Sequence, residues 1–186
     1  MNLVVGLTGA SGTLATRLLL EKSPFPVVLV ASDAGRRVYE KEVGSFNDLK
    51  ALATESWLNN DLSAPIASGS VPSSGMVLLP CSVNSLGKIA SGISDTLITR
   101  AAHCHLKERR PLILGVRETP WSLPTLQAAQ TVSAGGGIIM PLSPPFYMFS
   151  GRDPSSISML ELLTSYVERI LALLGSEAGK TWADVR

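Results

Sequence analysis

Five short apolar runs, separated by stretches of helical periodicity, constrain the fold of this chain more than any other feature. The runs are continuous instead of alternating, which is typical of strands covered on both faces. Strand followed by helix followed by strand predicts a parallel sheet with right-handed crossovers. The predicted strands are 2–7, 26–30, 76–80, 111–116 and 137–140, and the predicted helices begin near Ser11, Asp33, Phe46, Ser82, Asp95, Trp121 and Ser155, the last ending near Leu174.

The pattern predicts an α/β protein, with one doubly wound, Rossmann-like (flavodoxin-like) parallel sheet and helices on both faces. We assign residues 1–174 to this domain and 175–186, polar except for Trp182, to a C-terminal tail. Two long loops, 59–74 and 141–153, interrupt the pattern, and loops of that length are often functional. The second loop is rich in proline and aromatic residues, so it is suited to covering a pocket.

Charge and hydropathy narrow the classes of partner. Lys and Arg number 16 against 15 Asp and Glu, and this near-balance argues against a nucleic-acid footprint. The N-terminus lacks the basic region of a signal peptide, and no apolar stretch reaches the ~18 residues of a membrane span. Cys81 and Cys104 are too few for a disulfide framework, which favours the cytoplasm. A mean hydropathy of +0.26 predicts apolar surface buried in a homo-oligomer.

A glycine-rich segment, GLTGASG at 6–12, leaves the first predicted strand and opens a helix. Backbone N–H groups at such a turn favour an anion, and Ser11 is suited both to capping the helix and to donating to a phosphate. The spacing matches neither G-x-G-x-x-G nor a P-loop, so we expect a mononucleotide instead of NAD or ATP. A tight turn without a ligand is the less favoured interpretation.

Small polar residues follow two further strands. Ser82, Val83, Asn84 and Ser85 come directly after the third predicted strand, and Ser32 follows the second. Open α/β sheets bind ligands just outside the carboxyl ends of their strands. Ordinary helix caps explain these residues equally well, so this pattern leaves both interpretations open.

Charged residues cluster near the fourth predicted strand. Arg100 and Lys107 are seven residues apart on a helix, so they share nearly one face, although that spacing alone is more typical of a solvated face. Arg117 and Glu118 follow the strand directly, where a charged side chain costs stability unless it is paired with another charge or contacts a ligand. Arg117 is suited to contacting a flavin or phosphate and Glu118 to moving a proton, whereas Arg109 and Arg110 are expected in solvent.

The histidines do not predict a metal site. His103 and His105 are two apart on a helix and point about 200° from each other, so they cannot chelate one ion together. We interpret them as core or interface residues. The chain also lacks the G-x-S-x-G elbow of a serine hydrolase.

Several longer motifs resemble the flavin prenyltransferase family, also called the UbiX family and formerly the aromatic acid decarboxylases. The resemblance covers about residues 2–172 and is strongest over 68–120, where LKERRPL followed by VRETP is highly specific. The matching segments are GLTGASG, SGS, GMVLLPCS, ISDTLITRAA, LKERRPLILGVRETP, GGGIIMPLSPPFY and VERIL.

The resemblance implies an FMN-bound subunit of a homododecamer that needs no metal. Such an enzyme transfers a dimethylallyl group from dimethylallyl monophosphate to N5 and C6 of reduced FMN, and the product serves a UbiD-type decarboxylase. The implied flavin contacts are Gly9, Ala10, Ser11, Ser32, Ser82, Val83, Asn84, Ser85 and Arg117. The residues implied around the prenyl phosphate are Arg100, Lys107, Glu118, Tyr147 and Arg169, with Glu42 from a neighbouring subunit.

The implied roles agree with the chemistry of prenyl transfer. A leaving phosphate needs fixed positive charge, which Arg100, Lys107 and Arg169 would supply. Glu118 would relay a proton during ring closure, and Tyr147 would exclude water from an allylic cation.

The chain departs from the family at two places. Val83, Asn84 and Ser85 stand where many relatives have a Lys and a Thr, so we expect flavin-phosphate contacts that differ in detail. The spacing between Tyr147 and Arg169 is several residues longer than in relatives and includes residues 151–154.

Two other functions are compatible with the same fold. An FMN-dependent cysteine-type decarboxylase would carry a His base and a PxMNxxMW-type segment, whereas the late loop here reads PLSPPFY. A flavin carrier would need the glycine turn and Arg117, but it would not need Arg100, Lys107, Glu118 and Tyr147 together.

Overall fold

A six-stranded parallel sheet forms the centre of the computed structural model, which describes residues 1–177. The strands are β1 (Leu3–Leu7), β2 (Val27–Ala31), β3 (Glu55–Leu58), β4 (Gly75–Cys81), β5 (Leu112–Val116) and β6 (Ile138–Ile139). Every neighbouring pair is parallel, and the order is β3-β2-β1-β4-β5-β6. The predicted doubly wound α/β fold is therefore confirmed.

Within residues 1–177, seven α-helices cover both faces of this sheet. Successive strand residues point to opposite faces, and because both sets are apolar each face has its own core. The helices are α1 (Leu14–Lys22), α2 (Asp33–Glu42), α3 (Phe46–Ala51), α4 (Val83–Ala90), α5 (Leu97–Lys107), α6 (Leu123–Ala134) and α7 (Met159–Leu173). Helices α1, α2, α3 and α7 contribute to one core, and α4, α5 and α6 to the other.

Strand β3 is absent from the sequence prediction. It lies at the edge of the sheet and pairs only with β2 among the described residues, and of its four residues only Trp57 is half-buried. An exposed edge strand does not need an apolar run, so its sequence carries little of the signal that marked the buried strands. The predicted loop 59–74 begins immediately after β3 and contains one 3₁₀ turn, Pro65–Ala67.

Four helices begin two or more residues later than predicted. One of them, α6, begins at Leu123 after its cap Ser122 and not near Trp121. Helix α1 begins at Leu14 after Thr13, not near Ser11. Helix α5 begins at Leu97 because Thr96 and Thr99 form a reciprocal capping box, in which each side chain accepts from the other residue's backbone. Likewise, Ser158 and Glu161 form a capping box that starts α7, while Pro154–Ser156 forms a separate 3₁₀ turn.

The chain reverses direction along the sheet between β1 and β4. From β1 the chain proceeds to β2 and β3 on one side, and from β4 to β5 and β6 on the other. This switch point opens a crevice at the carboxyl ends of the strands, which is where doubly wound sheets bind ligands. Thr8 lies in it: its buried hydroxyl donates to Pro80 O at 2.9 Å and accepts from Ser82 N at 2.8 Å.

Within residues 1–177, no helix is both long and apolar enough to cross a bilayer. Trp182 and the rest of the predicted tail beyond residue 177 lie outside the described part of the chain.

Two glycines within helices provide a matched test of the packing at the crevice. A Cβ on Gly35 in α2 would lie 2.5 Å from Leu7 O at the end of β1, whereas a Cβ on Gly87 in α4 would meet nothing within 4 Å. Gly35→Ala should therefore lower the free energy of unfolding by about 1–3 kcal/mol, because α2 must shift from β1. Gly87→Ala should raise it by up to about 1 kcal/mol, because alanine favours helix.

Urea denaturation followed by far-ultraviolet circular dichroism measures both effects. Equal changes in the two variants would contradict the close packing of α2 against β1.

Candidate functional site

A cavity of about 580 Å³ opens at the carboxyl edge of the sheet, at the switch point. Its volume falls in the range of about 300–1,000 Å³ that is usual for small-molecule sites. Segments that follow β1, β2, β3, β4 and β5 all contribute to its wall. The lining residues are Thr8, Gly9, Ala10, Ser11, Ser32, Ala34, Asn59, Ser82, Val83, Asn84, Ser85, Lys88, Thr96, Ile98, Thr99, Arg117 and Glu118.

The structure thus brings together all nine residues that the family resemblance assigned to a flavin, together with Glu118. They come from four separate strand ends, so their convergence follows from the parallel topology and not from proximity in the chain.

The glycine turn contributes to this wall differently from the prediction. Ser11 does not cap α1; instead the Glu42 carboxylate accepts from Gly12 N and Thr13 N, each at 2.9 Å, and from the Thr13 hydroxyl at 2.8 Å. Glu42 therefore holds the anion position at the start of α1, and Gly9, Ala10 and Ser11 line the cavity. Gly9 must be glycine because a Cβ there would lie 2.6 Å from Ala34 Cβ.

Three other helices begin at the cavity, each with a hydroxyl side chain as its cap. Ser32 Oγ accepts from Gly35 N at 3.0 Å, Ser82 Oγ from Ser85 N at 3.3 Å, and Thr96 Oγ1 from Thr99 N at 3.3 Å. The two interpretations of Ser32 and Ser82 are therefore compatible, because both residues cap a helix and also line the cavity. The positive ends of α2, α4 and α5 at one cavity favour an anionic ligand.

Arg117 and Glu118 form the corner after β5. Arg117 N donates to Cys81 O at 3.1 Å, which fixes the corner against the end of β4. The half-buried Glu118 carboxylate accepts from Thr119 N at 2.9 Å, and Trp121 Nε1 donates to Glu118 O at 2.9 Å. Arg117 is exposed and lines the cavity. The Glu118 carboxylate has further lone pairs, which can accept a hydrogen bond or a proton from a ligand.

Lys88 is a cavity residue that the sequence analysis missed. It lies on α4, one turn after Asn84, and its ammonium pairs with Asp95 Oδ2 at 2.6 Å. This hydrogen bond from Lys88 is the main cause of the lowered pKa of Asp95. The four-residue spacing from Asn84 is the signal that could have identified Lys88, because residues i and i+4 share a helix face.

Asn59, Thr96 and Thr99 were also missed. The Asn59 side chain accepts from Ile98 N at 3.1 Å, so the residue after β3 holds the start of α5 at the cavity. No sequence signal linked Asn59 to this site, because β3 itself was not recognised.

The predicted cations Arg100 and Lys107 lie outside this cavity. Both are exposed on α5 beside the loop after the 3₁₀ turn: Arg100 Nε donates to Ala67 O at 2.8 Å, and Lys107 pairs with Glu108 next to Gly69. Arg109 is exposed as expected. Arg110 corrects the expectation of solvent, because it is half-buried and its guanidinium donates to Val71 O at 2.7 Å and Gly69 O at 2.6 Å.

Tyr147 and Arg169 also lie away from the cavity. Tyr147 is 40% exposed in the 3₁₀ turn Phe146–Phe149, and Arg169 is exposed on α7. Within one protomer, therefore, the predicted prenyl-phosphate residues do not come together, with the exception of Glu118 at the cavity itself.

The buried cysteine and histidine side chains contribute to packing and hydrogen bonding inside the protein. Burial raises the pKa of the Cys81 thiol to about 12, so it is not a thiolate at neutral pH. The His105 ring lies between Ala101 O at 2.7 Å and Ser73 Oγ at 2.8 Å, and burial lowers its pKa. Burial also lowers the pKa of His103. Among residues 1–177, no group of three or more His, Cys, Asp or Glu side chains is placed to hold a metal ion.

These features fit FMN. The ends of three helices and several hydroxyl groups suit a phosphate, and Arg117 suits either a phosphate or the polar edge of the ring. The small residues Gly9, Ala10 and Ala34 leave room for a planar group close to the backbone.

Comparison with known proteins agrees with this geometry. A family model described as Flavoprotein matches residues 1–133. The flavin prenyltransferase UbiX of Thermoplasma acidophilum is 42% identical over 177 residues, with 94% of this chain and 95% of that protein covered. The flavin prenyltransferase UbiX of Methanocaldococcus jannaschii is 35% identical, and the match covers 100% of both chains.

Solved structures are similar over the same length. AnUbiX (PadA1), crystallised with FMN and dimethylallyl pyrophosphate, superposes with a TM-score of 0.90 at 34% identity, covering 97% of this chain and 96% of that one. The dodecameric FMN-dependent UbiX-like decarboxylase of Escherichia coli O157:H7 gives 0.87 at 34% identity, covering 97% and 98%. The FMN-dependent cysteine decarboxylase TvaF shares the fold alone, with a TM-score of 0.62 and 19% identity. The chain belongs to the flavoproteins and, within them, to the UbiX flavin prenyltransferase family.

Proposed function

We propose that this protein is a flavin prenyltransferase, which transfers a dimethylallyl group from dimethylallyl monophosphate to reduced FMN. The observation that carries the proposal is the single cavity in which all nine expected flavin contacts meet Glu118. The names of the relatives and the FMN and dimethylallyl pyrophosphate bound in AnUbiX support the same reaction. When bound, reduced FMN supplies two nucleophilic ring atoms, N5 and C6, and the allylic phosphate supplies the leaving group.

The cavity residues would bind and orient the flavin. The hydroxyl groups of Ser11, Ser32 and Ser82 and the positive ends of α2 and α4 would hold its anionic and polar groups. Arg117 would contact the ring or the phosphate from the end of β5. Because these groups are already positioned by the strand ends, they need little reorganisation on binding.

Glu118 would move a proton during ring closure. Its carboxylate is half-buried at the cavity and is oriented by the Thr119 backbone N–H. Bonding of N5 to the transferred group would break the C–O bond to the phosphate and release the N5 proton. Closing the ring would form a carbon–carbon bond at C6 and use up the double bond of the dimethylallyl group, so one alkene carbon would gain a proton and C6 would lose one. Glu118 and the departing phosphate are the groups able to carry these protons, so Glu118 would act as a proton relay.

Neighbouring subunits would complete the positive pocket for the allylic phosphate. Arg100, Lys107, Tyr147 and Arg169 lie on the surface of a single protomer, which is where a residue must lie to serve a site shared between subunits. The E. coli O157:H7 relative is described as dodecameric, which supports a homododecamer here as well. Glu42, which holds the glycine turn of its own protomer, would also approach a site of the adjacent one.

The product would be a cofactor for another enzyme. Prenylated FMN leaves this protein and would serve a UbiD-type decarboxylase, so this chain would supply the cofactor without decarboxylating a substrate. We place the reaction in the cytoplasm because Cys81 and Cys104 are both buried and unpaired.

A flavin carrier is the main alternative, since the cavity alone would serve binding. Purified protein given reduced FMN and dimethylallyl monophosphate without oxygen should yield a flavin heavier by one dimethylallyl group. Mass spectrometry of the released flavin measures this, with dimethylallyl pyrophosphate as a parallel donor. If the flavin binds but its mass stays unchanged with both donors, the result would support the carrier and contradict prenyl transfer.

The role of Glu118 has its own test. Glu118→Gln removes the proton acceptor but keeps the shape of the side chain, so the single-turnover rate should fall by about 100-fold or more. The affinity for FMN should change less than about twofold, because the amide still accepts from Thr119 N.

Glu168→Gln is the matched control, because Glu168 pairs with Lys22 at 3.3 Å outside the cavity. It should keep the parent rate. Parent-like turnover of the Glu118 variant would remove this residue from the mechanism.

A further inference from the structure

Lys88 is a positive group in the cavity wall with no assigned role. Among the described residues that line the cavity, only Lys88 and Arg117 are cationic, and only Glu118 is acidic. Glu118 directly follows Arg117 in the chain after β5, so the acidic residue is next to Arg117 and not next to Lys88. The wall around Lys88 contains no acidic side chain within this lining set.

The ammonium of Lys88 is fixed but keeps free hydrogen-bond donors. It pairs with Asp95 Oδ2 at 2.6 Å, and its side chain is 28% exposed, against 49% for Asp95. Asp95 is not part of the cavity wall. A lysine ammonium has three N–H groups, and this bond uses one of them. Asp95 therefore positions the cation at the wall without exhausting its capacity to bind a ligand.

The surroundings of Lys88 suit a phosphate group. Ser85, one turn before Lys88 on α4, and Thr96 and Thr99 at the start of α5 place hydroxyl groups along the same wall. Thr99 Oγ1 lies 3.4 Å from Asp95 Oδ1, which connects the hydroxyl cluster to the ion pair. A cation, several hydroxyl groups and a helix start are the donors that a phosphate dianion uses in proteins.

We propose that Lys88 binds the phosphate of FMN and sets the preference of the cavity for FMN over riboflavin. The phosphate would bind between α4 and the start of α5, and the ring would extend toward Arg117 and Glu118. This inference rests on flavin binding and not on prenyl transfer, so failure of the transfer reaction would leave it intact.

The test compares the dissociation constants of FMN and riboflavin, measured by quenching of flavin fluorescence. Lys88→Gln should weaken FMN binding by about tenfold or more, because a charge-assisted contact is lost. Riboflavin, which lacks the phosphate, should bind within about twofold of the parent protein. Lys22→Gln is the control, because Lys22 loses an ion pair with Glu168 outside the cavity and should change neither constant.

A second variant separates phosphate binding from a structural role of the ion pair. Asp95→Asn removes the negative charge of the pair, but its amide oxygen can still accept a hydrogen bond from the ammonium and hold it at the wall, so FMN should bind at least as tightly as in the parent protein. If the pair were only structural, Asp95→Asn and Lys88→Gln would weaken FMN and riboflavin alike, and the proposal would be overturned. Unchanged FMN affinity in Lys88→Gln would also overturn it. If Lys88→Gln does not fold, the dissociation constants of Asp95→Asn for FMN and riboflavin still distinguish phosphate binding from a structural role.

Discussion

Thr8 joins the carboxyl ends of β1 and β4 with two hydrogen bonds, one donated to Pro80 O and one accepted from Ser82 N. This junction lies where the chain changes direction along the sheet, so it fixes the two halves of the crevice relative to each other. The glycine turn follows Thr8 directly, and the cap of α4 is Ser82 itself. The position of both segments that we expect to contact the flavin therefore depends on one buried hydroxyl.

The buried strands could be predicted because the signal that marks them lies within a few consecutive residues. Strands covered on both faces must be continuously apolar, and β1, β2, β4 and β5 are. Strand β3 could not be recognised, since an edge position leaves Glu55 and Ser56 exposed and removes the requirement for apolar residues. The start of α1 was misplaced because its cap is not local: Glu42, about thirty positions further along the chain, accepts from Gly12 and Thr13.

The site was predictable to the extent that strand ends determine it. Residues directly after β1, β2, β4 and β5 meet at one edge in any parallel sheet, which is why Ser32, Ser82 and Arg117 converge. Lys88 and Thr96 lie within or before helices, and their approach to the cavity depends on how α4 and α5 pack. Helical spacing showed correctly that Arg100 and Lys107 share an exposed face of α5, but it could not show that this face points away from the cavity.

We expect one cavity at the switch point to hold the flavin, with prenyl-phosphate residues added from the surfaces of adjoining subunits. A crystal structure of the protein grown with FMN tests this arrangement. It should show the flavin in the cavity between Gly9 and Ser82, with its ring near Arg117 and Glu118 and with Arg100 and Tyr147 of neighbouring subunits approaching it. Flavin bound at another surface, or in a cavity that no neighbouring subunit approaches, would contradict it.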